Sequence, residues 1–278
     1  RAIYIIDGSE DEGYLRFTIE FEDWVGNTGI KIDTTNGSNS GYVLFDQSPP
    51  ADFSIDTVFV NGLVNERGYW NSNSDSIIIV IPISDQDQSL LEGECQLQLS
   101  FDGGPFTDTG DPISINTLGM LDISLVRNNF ISLPSFSEGS NVRFTATIKD
   151  RAGNSTLGTA FQDSIHIDET RPELYNIFLT NSNEFESHWV RVGDQASLSF
   201  TSDEGLKDPT LIFHDDTVDL VTNNSGLEWT SVYDLTNETQ QGLLIFSIFS
   251  TDSAGNTSDT VSITSDESKI LFDKVQPQ

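Results

Sequence analysis

The chain has few of the residues that fix a fold covalently or perform chemistry. Its one cysteine, Cys95, excludes an intramolecular disulfide. It lies in the alternating run CQLQLSF, where a small buried apolar side chain is the expected role. The three histidines, His166, His188 and His214, are scattered, with no HxxxH spacing and no cysteine or acid partner placed as a zinc site or a catalytic triad requires. The glycine-rich stretch FDGGPFTDTGDP, 101–112, has no lysine and opens no helical pattern, so it does not read as a phosphate cradle. No enzyme is expected. Basic residues are also scarce, 13 Lys and Arg against 44 Asp and Glu, for a net charge of −31. Such a surface repels phosphate backbones and anionic lipid, so neither nucleic acid nor direct membrane contact is expected. No apolar run is long enough to cross a membrane, and no signal-like segment is visible. With Arg1 first and Met120 its single methionine, the sequence reads as an internal piece of a longer, disulfide-free protein, extracellular, either secreted or on a bacterial cell surface.

What is plentiful is alternation. Period-two runs such as DTVFV, SIIIVIPI, CQLQLSF, VRFTATI and ASLSFT recur throughout, punctuated by Gly, Asn, Asp, Ser and Pro. That pattern predicts an all-β protein made of sandwiches with no long helix. The chain also repeats itself. RFTIEFEDWVGN (16–27), RFTATIKDRAGN (143–154) and IFSIFSTDSAGN (245–256) are three versions of one apolar strand ending in Asp, two variable residues, Gly and Asn. Each is followed later by a second echo: LFDQSPP (44–50), HIDETRP (166–172) and LFDKVQP (271–277). These echoes divide the chain into residues 1–47, the C-terminal part of a truncated domain, and two complete domains at 48–169 and 170–278, the last with the start of an exit linker. The Pro-containing joints are too short to be flexible tethers.

The order apolar strand, DxAGN, strand and (I/F)DxxxP resembles the tail of the immunoglobulin-like repeats strung in tandem along large bacterial surface proteins and adhesins. Residues 68–101 resemble the early half of one repeat type, and EWTSVYDL with ILFDKVQP resembles another. The resemblance implies tandem immunoglobulin-like Greek-key sandwiches. DWVGN departs from it by carrying Val before Gly, which leaves the positive-φ turn intact.

In that topology the F–G hairpin loop and the B–C loop lie at the entry end of a domain, facing the preceding linker. One joint is thereby expected to gather Asp46, Asp150 and Asn154 with some of Asp85, Asp87 and Glu92. The other is expected to gather Asp168, Glu169, Asp252 and Asn256 with Asp203 or Glu204. Converging carboxylates repel, and a hard cation with six to eight oxygen ligands relieves that, so calcium is the expected cofactor. Asp, Gly and Asn are equally the residues that close a hairpin turn for backbone reasons alone, and both readings apply to DxAGN. The 85–95 stretch is no EF-hand, because Leu90 stands where that loop needs Gly. Tyr69 and Trp70, in a polar setting, form a candidate stacking platform for a sugar, with packing as the alternative; Trp229, alternating with Ser231 and Tyr233, reads as core.

The functional expectation is a stalk segment whose joints calcium stiffens. Its partners are adjacent repeats, with a receptor or surface glycan engaged through other parts of the full-length protein. The alternative is an accessory carbohydrate-binding or spacer domain of a secreted hydrolase.

Overall fold

Alternation in the sequence becomes strand in the structure. The computed structural model describes residues 3–32, 43–63, 67–223 and 225–275; Pro277, at the end of the third linker echo, lies outside them. Among the described residues the helical elements are the short α-helix Arg127–Ile131 and the 3₁₀ turn Gln88–Leu90. Everything else regular is β, in several sheets paired almost entirely antiparallel. In Ser74–Ile83, Ile77, Ile79 and Ile81 are fully buried, as a strand facing a core demands. Burial also pushes the Cys95 thiol up to about 12, which fits a packing role.

The chain divides into two compact units, 1–58 with 78–124 and 143–163, and 59–77 with 125–142 and 164–278. In the second unit, the sheet ordered Leu174–Asn181, Gln195–Ser202, Glu228–Asp234, Val221–Thr222 faces the sheet ordered Asp216–Val218, Lys207–Phe213, Phe246–Thr251. Ile177, Leu198, Phe200, Leu211, Phe213 and Ile248 fill one core between them. This is a β-sandwich, and each fully buried Phe or Leu contributes about 2 kcal/mol of transfer free energy. Trp229 packs against the same core, stacked on Phe200.

The second and third linker echoes share one local structure, whereas the first, at Leu44–Phe45, pairs antiparallel with Gly13–Tyr14. Ile165–Ile167 pairs in parallel with Tyr69–Trp70, and Leu271–Phe272 pairs in parallel with Trp189–Val190. The next amide, of Asp168 or Asp273, then donates to the carbonyl of Trp70 (2.8 Å) or Val190 (2.9 Å). The two linkers are thus launched by the same hydrogen bonds. Ile165–Ile167 also pairs with the start of Asn141–Lys149, through Asn141 and Val142.

In the first unit, 143–149 neighbours Glu94–Phe101, which pairs with Thr107–Asp108 and Ile113–Ser114. Gly93 passes so close to this strand that an added Cβ would stand 2.4 Å from the Lys149 carbonyl oxygen. Gly93→Ala is therefore expected to cost about 1–2 kcal/mol by forcing the backbone apart, read as a lower urea midpoint at unchanged slope. The opening segment differs. Phe17, Ile19 and Phe21 stay 43–55% exposed, whereas Phe144, Ala146 and Ile148, in the same motif, are buried. Among the described residues the early run pairs through the isolated bridges Ile19↔Ile32 and Glu22↔Thr28.

Candidate metal centre

The three DxxGN loops fold identically, and the cause is the aspartate. One carboxylate oxygen of Asp23, Asp150 and Asp252 accepts the backbone N–H of Asn27, Asn154 and Asn256, each at 2.9 Å. The other accepts the Nδ2 of the same asparagine at 2.7, 2.9 and 2.8 Å. The Asp N–H donates to the Asn carbonyl, the Gly N–H donates to the Asp carbonyl, and Gly takes a φ of 91°, 103° and 90°. Only glycine adopts that backbone without strain. Spacing and residue types are thus explained by turn chemistry, and the Asp23 copy, exposed and in no group of three ligating side chains among the described residues, has the same geometry. The motif alone does not call for a metal.

At one of the three loops more arrives. Asp168, Glu204 and Asp252 each bring a carboxylate oxygen within 4.8 Å of the others. Asp168 is held by its backbone bond to Trp70; Glu204 by the buried Ser202, whose Oγ donates to the Glu204 carbonyl at 2.6 Å; Asp252 by its own loop. Asp252 is completely buried and the other two are half-buried. Burial, followed by the charge of Asp252, raises the Asp168 carboxyl to about 6, with Glu138 adding to the shift. Burial, then Asp252 and Asp168, raises Glu204 to about 7. These shifts have the sign of negative charge held together at a cost. Three hard oxygen donors with no nitrogen or sulfur suit Ca²⁺ or Mg²⁺ and not zinc or copper.

The other expected ligands go elsewhere. Asp203 is exposed and accepts the Glu173 amide at 2.8 Å, so its neighbour Glu204 supplies the carboxylate. Glu169 accepts from the Trp70 indole N–H at 3.0 Å and forms an ion pair with Arg127, whose Nη1 also donates to the Ser74 carbonyl. Its charge is already matched. Asn256 spends its amide oxygen on Ser72.

At the earlier loop, Asn154 Nδ2 reaches the Asp46 carbonyl at 3.2 Å, the loop-to-preceding-linker approach expected from the sequence. Asp87, however, caps its own turn through Ser89, and Asp85 is exposed and bonded to Gln86. The loop around them meets the Asp150 loop through backbone instead, Arg151 N–H to the Ser89 carbonyl at 2.9 Å. Among the described residues no second group of three ligating side chains converges, so the expected gathering of Asp46, Asp85, Asp87 and Asp150 does not form.

Trp70 is fully buried, edge-on to Phe130 and beneath the Arg127 guanidinium, and Tyr69 is half-buried against His166. The indole is therefore not available as a stacking surface, which corrects that expectation. Alternation could not reveal this, because Asn71, the polar residue that follows Trp70, is itself a buried hydrogen-bonding partner.

A scan against family models and a search of curated proteins give no match. Two solved structures are similar in part. One concerns host cell surface retention of a 1.5-MDa bacterial ice-binding adhesin, at 16% identity and a TM-score of 0.41, covering 96% of this chain and 76% of that one. The other is the Bacteroides ovatus mixed-linkage glucan utilization locus SGBP-B in complex with a mixed-linkage heptasaccharide, at 12% identity and a TM-score of 0.20, covering 96% and 54%. Neither likeness is close enough to carry an argument.

Proposed function

We propose that this chain is a structural segment of a long extracellular surface protein, built of tandem immunoglobulin-like sandwiches at 48–169 and 170–278, with a joint stiffened by calcium. The observation that carries the reading is the convergence of Asp168, from the linker, Glu204, from the bend after a core strand, and Asp252, from the DxAGN loop. Three elements distant in sequence meet through like charges, and a divalent cation is what makes that favourable. When bound, the ion supplies charge neutralisation and a shared ligand to the three elements; Asp168 and Glu204 present their carboxylates and Asp252 holds its own in place through Asn256. A receptor or surface glycan, on this reading, is engaged by other parts of the full-length protein. The burial of Trp70 leaves the carbohydrate-binding alternative without its stacking pair.

Extracellular calcium modules bind at about 10⁻⁴–10⁻³ M. Adding ten times the dissociation constant then stabilises the folded chain by about 1.4 kcal/mol through mass action. Thermal melting in millimolar calcium and in excess chelator is expected to differ by several degrees for the wild type and to coincide for Glu204→Gln. Equal melting of the wild type in both media contradicts the proposal.

A further inference from the structure

We propose that Asn71, Ser72 and Asn256 form a cation-independent clasp that selects which turn can seat against the DxAGN loop. Its role in a stalk rests on the function proposed above; its geometry does not. The Asn256 side chain uses its whole hydrogen-bonding capacity. Nδ2 donates to Asp252 Oδ2 at 2.8 Å and to the Asp168 carbonyl at 2.9 Å. Oδ1 accepts the Ser72 N–H at 3.0 Å and the Ser72 hydroxyl at 2.8 Å. Two donors and two lone pairs are matched, the most an amide can achieve. In return, Asn71 Nδ2 donates to the Ala254 carbonyl at 2.6 Å, while Asn71 Oδ1 orders its own turn by accepting the Asn73 N–H and the Ser74 hydroxyl. Asn71 and Asn256 are buried to 1% exposure or less, so the Asn71–Ala254 and Asn256–Asp252 bonds are shielded from competing water, while those to the exposed Ser72 are part-buried.

The three copies of the motif form a series. Among the described residues Asn27 bonds within its own loop, Asn154 adds the Asp46 carbonyl, and Asn256 adds both the Asp168 carbonyl and Ser72. What distinguishes the third is therefore the turn that meets it. The requirement is specific: the turn must offer an amide donor at its first position and an N–H with a hydroxyl at its second. The structurally equivalent turn after Val190 closes in the same way, Arg191 N–H to Asp194 Oδ2 at 2.8 Å as Asn71 N–H to Ser74 Oγ at 2.9 Å, but it carries Arg191 and Val192 in place of the side-chain amide and the hydroxyl. A following DxAGN loop would find no such partner there. The Asn-Ser pair is thus a recognition element for this joint.

Amide hydrogen exchange of the whole chain tests this, in excess chelator and in calcium. The Ser72 amide is expected to exchange at least about tenfold more slowly in the wild type than in Asn256→Ala, by the same factor in both media. Because Asn256→Ala also disturbs its own loop, Asn71→Ala serves as the second variant. It is expected to speed Ser72 exchange while the Asn256 amide, which donates to Asp252, stays protected. Rapid Ser72 exchange in wild-type chain under chelator, or protection that appears only with calcium, overturns the clasp. An absent calcium effect on melting with Ser72 still protected rejects the metal and leaves the clasp standing.

Discussion

Replacing Asp252 by alanine is expected to lower stability by about 3 kcal/mol, although no metal or partner need be present for the loss. Asp252 is fully buried, and its carboxylate receives the N–H and the Nδ2 of Asn256. Deleting it strands two buried donors, each costing about 1–3 kcal/mol. Relief of the repulsion with Asp168 and Glu204 offsets a part of this. Asp150→Ala follows the same logic at 3% exposure but costs less, about 1–2 kcal/mol: the half-buried Asn154 amide and one Nδ2 hydrogen lose their acceptor, while the exposed Gly153 N–H keeps the Asp150 carbonyl and Nδ2 keeps the Asp46 carbonyl. Asp23→Ala is the control. The same bonds exist there in an exposed loop, where water replaces the carboxylate, so no measurable change is expected. Urea unfolding of the three variants reads the order Asp252, Asp150, Asp23. Equal losses at all three would show that the loop's own geometry, and not its burial, sets the cost.

A second large effect is expected from pH in the absence of divalent cations. The folded chain holds Asp168 at about 6 and Glu204 at about 7, above their ordinary carboxyl values. The native state therefore binds protons more tightly than the unfolded state between about pH 4 and pH 7. Their contribution is fully present below that window and is lost as pH rises through it. Both groups are only half-buried, so after solvent screening the joint loss is about 1–2 kcal/mol. The groups facing them, Asp252, Asp203 and Glu138, carry the same sign; Glu138, raised by burial but lowered further by hydrogen bonds with Glu169, Thr170 and Asp168, is held below its ordinary range and offsets part of the effect. Other carboxylates, such as Asp23, are held low by hydrogen bonds and give the opposite slope, so the measurement is a difference. The melting temperature in chelator at pH 4.5 and pH 7.5 is compared between wild type and the Asp168→Asn, Glu204→Gln double variant. The variant is expected to gain on the wild type as pH rises. Saturating calcium should erase that gain, and parallel pH profiles in chelator would contradict the electrostatic account.

The sequence carried the all-β fold because alternation is a property of neighbouring residues. It carried the DxxGN turns for the same reason: Asp, Gly and Asn close a loop through bonds spanning four residues. The approach of Asn154 to Asp46 and of Asn256 to Asp168 followed from hairpin topology. Legibility fails where a side chain has several possible partners. Asp203 and Glu204 are adjacent, and which one turns inward is set by the contacts of each, the distant Glu173 amide on the Asp203 carboxylate and the Ser202 hydroxyl on the Glu204 carbonyl. Glu169 stands next to Asp168 and looks equivalent to it, yet Arg127, 42 residues away, claims its charge. Trp70 and Asn71 in a polar run look exposed, but both are fully buried, and Asn71 bonds to Ala254, 183 residues away. In so acidic a chain, carboxylate count says little; position in three dimensions says which few converge.

The central claim is that Asp168, Glu204 and Asp252 hold one divalent cation. Equilibrium dialysis of the 278-residue chain against radioactive calcium at neutral pH, alongside the Asp168→Asn, Glu204→Gln double variant, tests it most directly. The account predicts one saturable site in the wild type with a dissociation constant of about 10⁻⁴–10⁻³ M, and none in the variant. Calcium retained equally by both proteins, or by neither, would contradict it.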